Sequence, residues 1–520
     1  MKKWLSILLA ACLCLGLAPA MADAAVTSIV LSDEGVTVNG APASTDEKAA
    51  VYTAHDIVFY LEGQDFTYGE GTEADGHTQE EADAHTVVHI SEPGVYELSG
   101  KLSAGQIAVD IDDAKKDEEA VVTLVLDGVD ITCTVAPAVI FYNVYECSSD
   151  DEDDAIKDVD TSAAGANVII ADGTVNNVTG SYVARIYDPD TVQLSEDGTE
   201  VEDADKLHKY DAAFYSKRTM NISGGEKGDG VLNISAANEG LDSELHLTIN
   251  GGHINITSGN DGINTNEDNV SVTTVNGGSV NIVVNGATGE GDGIDSNGWL
   301  VINGGSVTAA GCGFSGDAGI DSDMGIYVNG GTICASGNMF DHIAGGDAPY
   351  AVFSFADRQK GGSAYALKNE AGETVAEWSP VNDFTILAVS GDWLAPGTYT
   401  LWQGETQLGY TGTSVMAFGG MGGGKGGRGG RRDFDPADLP EGFDPANMPQ
   451  PPEMPEGFDP ENMPEPPEGF DPGQHHGGGK GGRGGRGGFD RGGETGEASA
   501  QFVLDENGGS FSGVAAYTAE

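Results

Sequence analysis

Asp242, Asp295 and Asp321 each stand nine residues before the first glycine of a Gly-Gly pair, and Asn264 holds the equivalent place in a repeat with four extra residues. Glu239, Asp261, Asp292 and Asp317 lie just before them, and Glu244 and Asp323 just after. Side chains that recur at one position of stacked strands sit about 4.8 Å apart. At that distance like charges repel by about 3–4 kcal/mol at an effective dielectric near 20, and by less than about 1 kcal/mol in water. A carboxylate row is therefore tolerated when solvated and favoured when a cation bridges it. Calcium suits such a row, because it takes roughly six to eight oxygens in flexible geometry. These ten residues are the candidate metal ligands. The competing reading is a solvated corner whose side chains bond their own backbone.

The elements that must hold the row show themselves as a repeat. An apolar-polar-Gly-Gly turn recurs at Ile222–Gly225, Ile249–Gly252, Val275–Gly278, Ile302–Gly305 and Val328–Gly331, with steps of 27, 26, 27 and 26 residues. Alternating apolar residues flank each turn: Leu245, Leu247 and Ile249 before one, Ile254 and Ile256 after it. Period-two alternation means β-strand. A step of about 26 residues suits three short strands per coil of a parallel β-helix, in which each coil buries its core only against its neighbours. Gly-Leu/Ile-Asp/Asn-Ser/Thr recurs at 240–243, 262–265, 293–296 and 319–322, and Asp211–Ser216 reads as an earlier, diverged coil. Ile249, Val275, Ile302 and Val328 are expected in one inward ladder.

Composition narrows the classes. The chain has 520 residues, 79 of them Gly, with 83 acids against 24 bases and a formal charge of −59. The folded body is not expected to grip nucleic acid. Lys2 and Lys3 precede an apolar run to Leu17 and small residues near Ala22, as in an export signal. A lipid-modified Cys12 is the rival reading, and no segment is expected to span a bilayer. The protein is thus expected outside the cell or at its surface. Cys133, Cys147, Cys312 and Cys334 are too few for a disulfide framework; packed thiols or a single bridge both remain open.

Taken in order, Gly94–Gly100 with Gly105–Asp110, Leu124–Gly128, Ala171–Thr174, the Gly-Gly and Gly-Ile-Asp-Ser coils, and Gly397–Leu401 resemble one known family. It is the family of exported bacterial carbohydrate-binding parallel β-helix proteins, of the clostridial type that binds calcium and polygalacturonate. The resemblance implies a right-handed solenoid, an acidic plant polysaccharide as partner, and calcium. Calcium would also explain how so acidic a protein holds an acidic glycan.

The organisation expected is a signal peptide at 1–22, an N-terminal β segment with loops at 23–86, the β-helix at 87–345, a β cap at 346–412, a disordered insertion at 413–497 and a terminal β segment at 498–520. The insertion repeats Glu-Gly-Phe-Asp-Pro three times between Gly/Lys/Arg-rich stretches, a composition that buries no core.

An enzyme is the first rival to a binding protein. Pectin lyases need a basic side chain beside calcium, yet between Arg218 and Arg358 the only Lys or Arg is Lys227. Two or more Asp near one sugar would suit a hydrolase, but Asp pairs alone do not decide this. His246 and His253 are expected to face solvent. Trp299 and Tyr327 do not share a coil position, so no broad aromatic platform is expected. A surface structural or adhesion solenoid is the second rival.

Overall fold

The computed structural model describes residues 26–341, 343–415 and 498–518. The export signal, Cys12 and nearly all of the Gly/Arg/Pro-rich insertion lie outside the described residues. Within them the chain is nearly all β, the one α-helix being the five-residue Gln79–Asp83.

Three parallel ladders organise the repeat. In the first, Ala166–Ile170, Met220–Gly224, His246–Ile249, Val272–Val275, Trp299–Ile302 and Gly325–Val328 pair in succession. In the second, Val175–Gly180, Val231–Ala236, His253–Ser258, Ser279–Val284, Ser306–Ala310 and Thr332–Gly337 do the same. The third runs through Thr86–Ile90, Gly105–Asp110, Val139–Asn143, Ala212–Ser216, Glu239–Ser243, Ile263–Thr265 and Ile294–Ser296. Each repeat thus contributes one strand to each ladder.

The Gly-Gly corner joins the first ladder to the second. Its second glycine adopts a positive φ in the last four of the five turns, +90° at Gly252, +79° at Gly278, +77° at Gly305 and +83° at Gly331. A Cβ on Gly305 would meet the Gly277 carbonyl carbon at 2.8 Å, so the stacked corners exclude any other residue. Before the corner, Ile222, Ile249, Val275, Ile302 and Val328 stand in register and are fully buried, as the repeat predicts. Each such side chain contributes roughly 1.5–3 kcal/mol on burial. Outside this column a chain of corner amides runs from repeat to repeat. Asn276 Nδ2 donates to Asn250 Oδ1 at 2.9 Å, Asn303 to Asn276 at 2.9 Å and Asn329 to Asn303 at 2.7 Å.

Both ends of the stack are engaged. Val26–Leu31 pairs in parallel with Gly94–Leu102. Phe384–Ser390 lies antiparallel on Thr332–Gly337, and around it a second core gathers Phe353, Tyr365, Phe384, Phe502 and Phe511. Its last strand, Gly508–Ala516, pairs with Tyr350–Gln359 across the long chain interval between them.

Two sequence expectations need correction or completion. His246 does not face solvent: it is buried, its Nε2 3.1 Å from Ser148 Oγ, while its Nδ1 accepts from the Val272 amide at 3.1 Å. Burial pulls its pKa down to about 4, so the ring is neutral there. The segment from Cys147 to Thr161 folds back over the first ladder and covers it, a tertiary contact that strand alternation cannot report. His253 is exposed as expected. The four cysteines Cys133, Cys147, Cys312 and Cys334 are free thiols.

Candidate functional site

The acidic residues sit on the third ladder. Along Glu239–Ser243, Leu241 points into the core, Asp242 outward and Ser243 inward, the alternation of a strand. The buried hydroxyls are satisfied in place: Ser243 Oγ donates to the Arg218 and His246 carbonyls at 3.0 Å each, and Thr265 Oγ1 lies 2.8 Å from Ser296 Oγ. The register sets Asp242 beside Asn264 and Asn264 beside Asp295. A bridge pairs Ile294 with Ile320, so Asp321 follows Asp295 along the same row. The row inferred from spacing is therefore a row in space.

A second row lies three residues earlier, four in the case of Asp317, and is wired through backbone amides. The Asp292 amide donates to Asp261 Oδ1 at 2.6 Å, the Ala318 amide to the Asp292 carboxylate, and the Gly291 amide to Asp317 Oδ2 at 2.7 Å. Asn264 Nδ2 reaches Glu239 Oε1 at 3.4 Å. Glu239 is only 6% exposed and Asn264 8%, yet among the described residues Glu239 Oε2 and Asn264 Oδ1 have no hydrogen-bond partner. Two unpaired oxygens buried side by side are costly unless a proton or a cation serves them.

Asp242 is 0% exposed, and both of its oxygens accept from Asn266 Nδ2, at 2.9 and 3.0 Å. Glu244 is engaged by the Tyr215 hydroxyl and by Lys206 Nζ at 3.2 Å. Asp323 is exposed at the rim. Positive charge is scarce here: Lys209, which acts on Glu239 and Asp242, is itself paired with Asp211.

The electrostatics follow. Burial first, then the negative charges of Asp211 and Asp242, push Glu239 well above the usual carboxylate range. Burial with Glu244 and Asp211 does the same to Asp242, and burial with Glu239 to Asp261. Asp292 is raised by burial and by Asp321, Asp295 by burial and by Asp261. Burial lifts Asp321 to about 6. Among the described residues, no three His, Cys, Asp or Glu side chains already converge as a metal cage. The oxygens are spread one repeat apart, with carboxylates held protonated or poised for a cation. An all-oxygen donor set with two unpaired buried acceptors fits a hard divalent ion.

Sequence spacing named the ten acidic or amide positions as candidates and did not name Asp211, Lys209, Tyr215 and Asn266, which act on Asp242 or bond to its neighbours. Asp211 and Tyr215 belong to the diverged coil, so their stacking was open to discovery. Lys209 arrives from Lys206–Tyr210, which pairs with Val183–Tyr187 in an excursion folded over the sheet. No periodicity marks it.

Ladders and row together define an all-β protein with an oxygen-lined row on one sheet. The chain belongs to the family of carbohydrate-binding domain-containing proteins, whose model matches residues 84–344, half of the chain. A carbohydrate-binding domain-containing protein of Acetivibrio thermocellus is 31% identical over 170 residues, which are 32% of this chain and 44% of the relative. The alignment thus spans less than half of that relative's length. A solved structure described as a polysaccharide lyase-like protein from C. thermocellum, a gadolinium derivative, is 21% identical over 59% of this chain and 94% of that one, with a TM-score of 0.32.

Proposed function

We propose that this is an exported, non-catalytic protein that binds acidic polysaccharide of the polygalacturonate type through calcium. The three ladders are read as a right-handed parallel β-helix with three strands per coil, closed by a C-terminal β cap. The observation that carries the reading is the carboxylate and amide row of Asp242, Asn264, Asp295 and Asp321, with Glu239 Oε2 and Asn264 Oδ1 unpaired behind it. Family membership supports carbohydrate as the ligand class. The formal charge of −59 favours a mediating cation if that carbohydrate is itself acidic. Calcium bound there would supply positive charge and open coordination positions for sugar carboxylates and hydroxyls. Glu239, Asp242, Asp261, Asn264, Asp292, Asp295, Asp317 and Asp321 are the residues to hold it, while Glu244 and Asp323 lie at its edge.

Incubation with polygalacturonate tests this. Retention in calcium, release by EDTA and no unsaturated products or new reducing ends are expected. Product formation would make the protein an enzyme instead. Absence of retention would favour a structural or adhesion role.

A further inference from the structure

On the same outer sheet, toward the N-terminal end, lies a cavity of about 410 Å³ that no part of the calcium reading uses. Its floor is the third ladder, its walls the 55–58 loop and strand Lys206–Tyr210. Register joins it to the acidic row without a break. His89 pairs with Ala108, Ala108 with Ile140, Ile140 with Tyr215 and Tyr215 with Asp242. Along this line aromatic and basic side chains join the carboxylates, of which Asp56 and Asp110 line the cavity.

Lys217 is central to the cavity. It follows strand Ala212–Ser216 directly, as Glu244 follows Glu239–Ser243 in the next repeat, and the Glu244 amide donates to the Ser216 carbonyl at 2.9 Å. The cavity thus ends where the acidic row begins. The Lys217 ammonium lies over the rings of Tyr210 and Tyr142, 5.2 and 5.9 Å from their centroids, and forms no ion pair among the described residues. It is half-buried, and Glu244 and Asp110 act on it only from beyond ion-pair distance. Burial depresses its pKa, against the opposing pull of Glu244. A desolvated cation facing a cavity is costly to keep without an anion.

The neighbours are fixed. His208 Nδ1 is 2.7 Å from the Tyr210 hydroxyl. His89 stacks on Tyr52 with centroids 4.5 Å apart, and its Nε2 lies 2.8 Å from Asp56 Oδ1. Asp56 and Asp110 are the unfavourable members for an anion; burial raises the pKa of Asp110, against the opposing pull of Lys217. Tyr142 is half-buried and leaves part of its ring to the cavity.

We propose that this cavity is a subsite for one carboxylated sugar residue, with Lys217 taking the carboxylate and Tyr142 the apolar face of the ring. It rests on the acidic-polysaccharide reading and deepens it. Chain running along the repeat axis would place one uronate on Lys217 and its successors over the oxygen row. Charge-assisted pairing gives specificity for the acid, and ring stacking gives contact that a neutral sugar shares.

The test is calorimetric titration of the full chain with trigalacturonate in calcium, beside its neutral methyl ester. Lys217→Ala should weaken the acid by roughly tenfold or more and leave the ester unchanged; Lys217→Arg should recover most of the loss. In the wild type, bound trigalacturonate should protect the Lys217 amine from acetylation, read by mass spectrometry, a measurement that needs no variant to fold. Unchanged affinity in a Lys217→Ala protein that melts like the wild type, or acetylation unaffected by the trimer, would overturn the subsite. If polygalacturonate is retained but the trimer fails on both readouts, the subsite falls and the calcium reading stands. If the polymer is not retained either, both fall.

Discussion

Two rows of side chains run along the same repeats and have opposite fates. At the Gly-Gly corner, Asn250, Asn276, Asn303 and Asn329 pass one amide hydrogen bond from each repeat to the next. On the third ladder, Asp242, Asn264, Asp295 and Asp321 stack at the same spacing, and their carboxylates repel. An amide is donor and acceptor at once, so a stack of identical amides satisfies itself. An ionised carboxylate is an acceptor alone, so a stack of carboxylates needs something from outside. The first row is complete within the protein. The second keeps neighbouring carboxylates in repulsion, and this makes it the row on which the proposed cation binding is to be tested.

Both rows depend on one inward column, and breaking that column has the largest expected effect. Ile302→Asp would bury an unpaired carboxylate between Val275 and Val328 and should cost several kcal/mol, or about 3–5, in chemical denaturation. A smaller loss than about 1 kcal/mol would mean the column does not hold the rows.

The next effect is on pH. The folded-state pKa values of Glu239, Asp242, Asp261, Asp292, Asp295 and Asp321 are raised. Their contribution to stability is therefore full below the ordinary carboxylate pKa of about 4 and is lost as pH rises through the folded values. For Asp321 that value is about 6. In EDTA the melting temperature should fall from pH 4.5 to 7.5. Calcium should restore it, and more at pH 7.5 than at pH 5. A melting temperature indifferent to both calcium and pH would make the row a solvated corner.

Converting one row toward the other sharpens the contrast. Asp295→Asn would set two amides side by side at positions 264 and 295. In EDTA at pH 7.5 it should stabilise by about 1–2 kcal/mol, from relief of repulsion between neighbouring carboxylates, and it should blunt the calcium response. Destabilisation would show that Asp295 is already compensated.

The smallest effect belongs to the self-satisfied row. Asn303→Ala removes two exposed amide bonds and should cost about 0.5–1 kcal/mol, with no change in the calcium response. A calcium response altered by this variant would mean that the two rows are not independent.

Much of this was legible beforehand, and for one reason. Where each repeat stacks on the next, spacing in sequence converts directly into position in space. The steps of 26 and 27 residues therefore located Ile302 in the core column and Asp295 in the acidic row. Even the four-residue insertion after Asn264 was absorbed, because Thr265 and Ser296 still pair in register. Legibility ended where chain from outside the repeat folds over it. His246 looked solvent-facing by alternation, yet the 147–161 segment buries it.

The sequence by itself determined the strands, the corner glycines, the inward column and the order of the acidic residues, because all of these are local or nearest-neighbour properties of a repeat. Only the tertiary structure decided how buried Asp242 is, that Lys209 is paired with Asp211, that Glu239 Oε2 and Asn264 Oδ1 lack hydrogen-bond partners among the described residues, and that Lys217 faces a cavity shared with Asp56 and Asp110. Those depend on the excursions at 147–161 and 181–211 and on the N-terminal loops, which carry no period. Their desolvation of the outer sheet changes the energy of every charge beneath them.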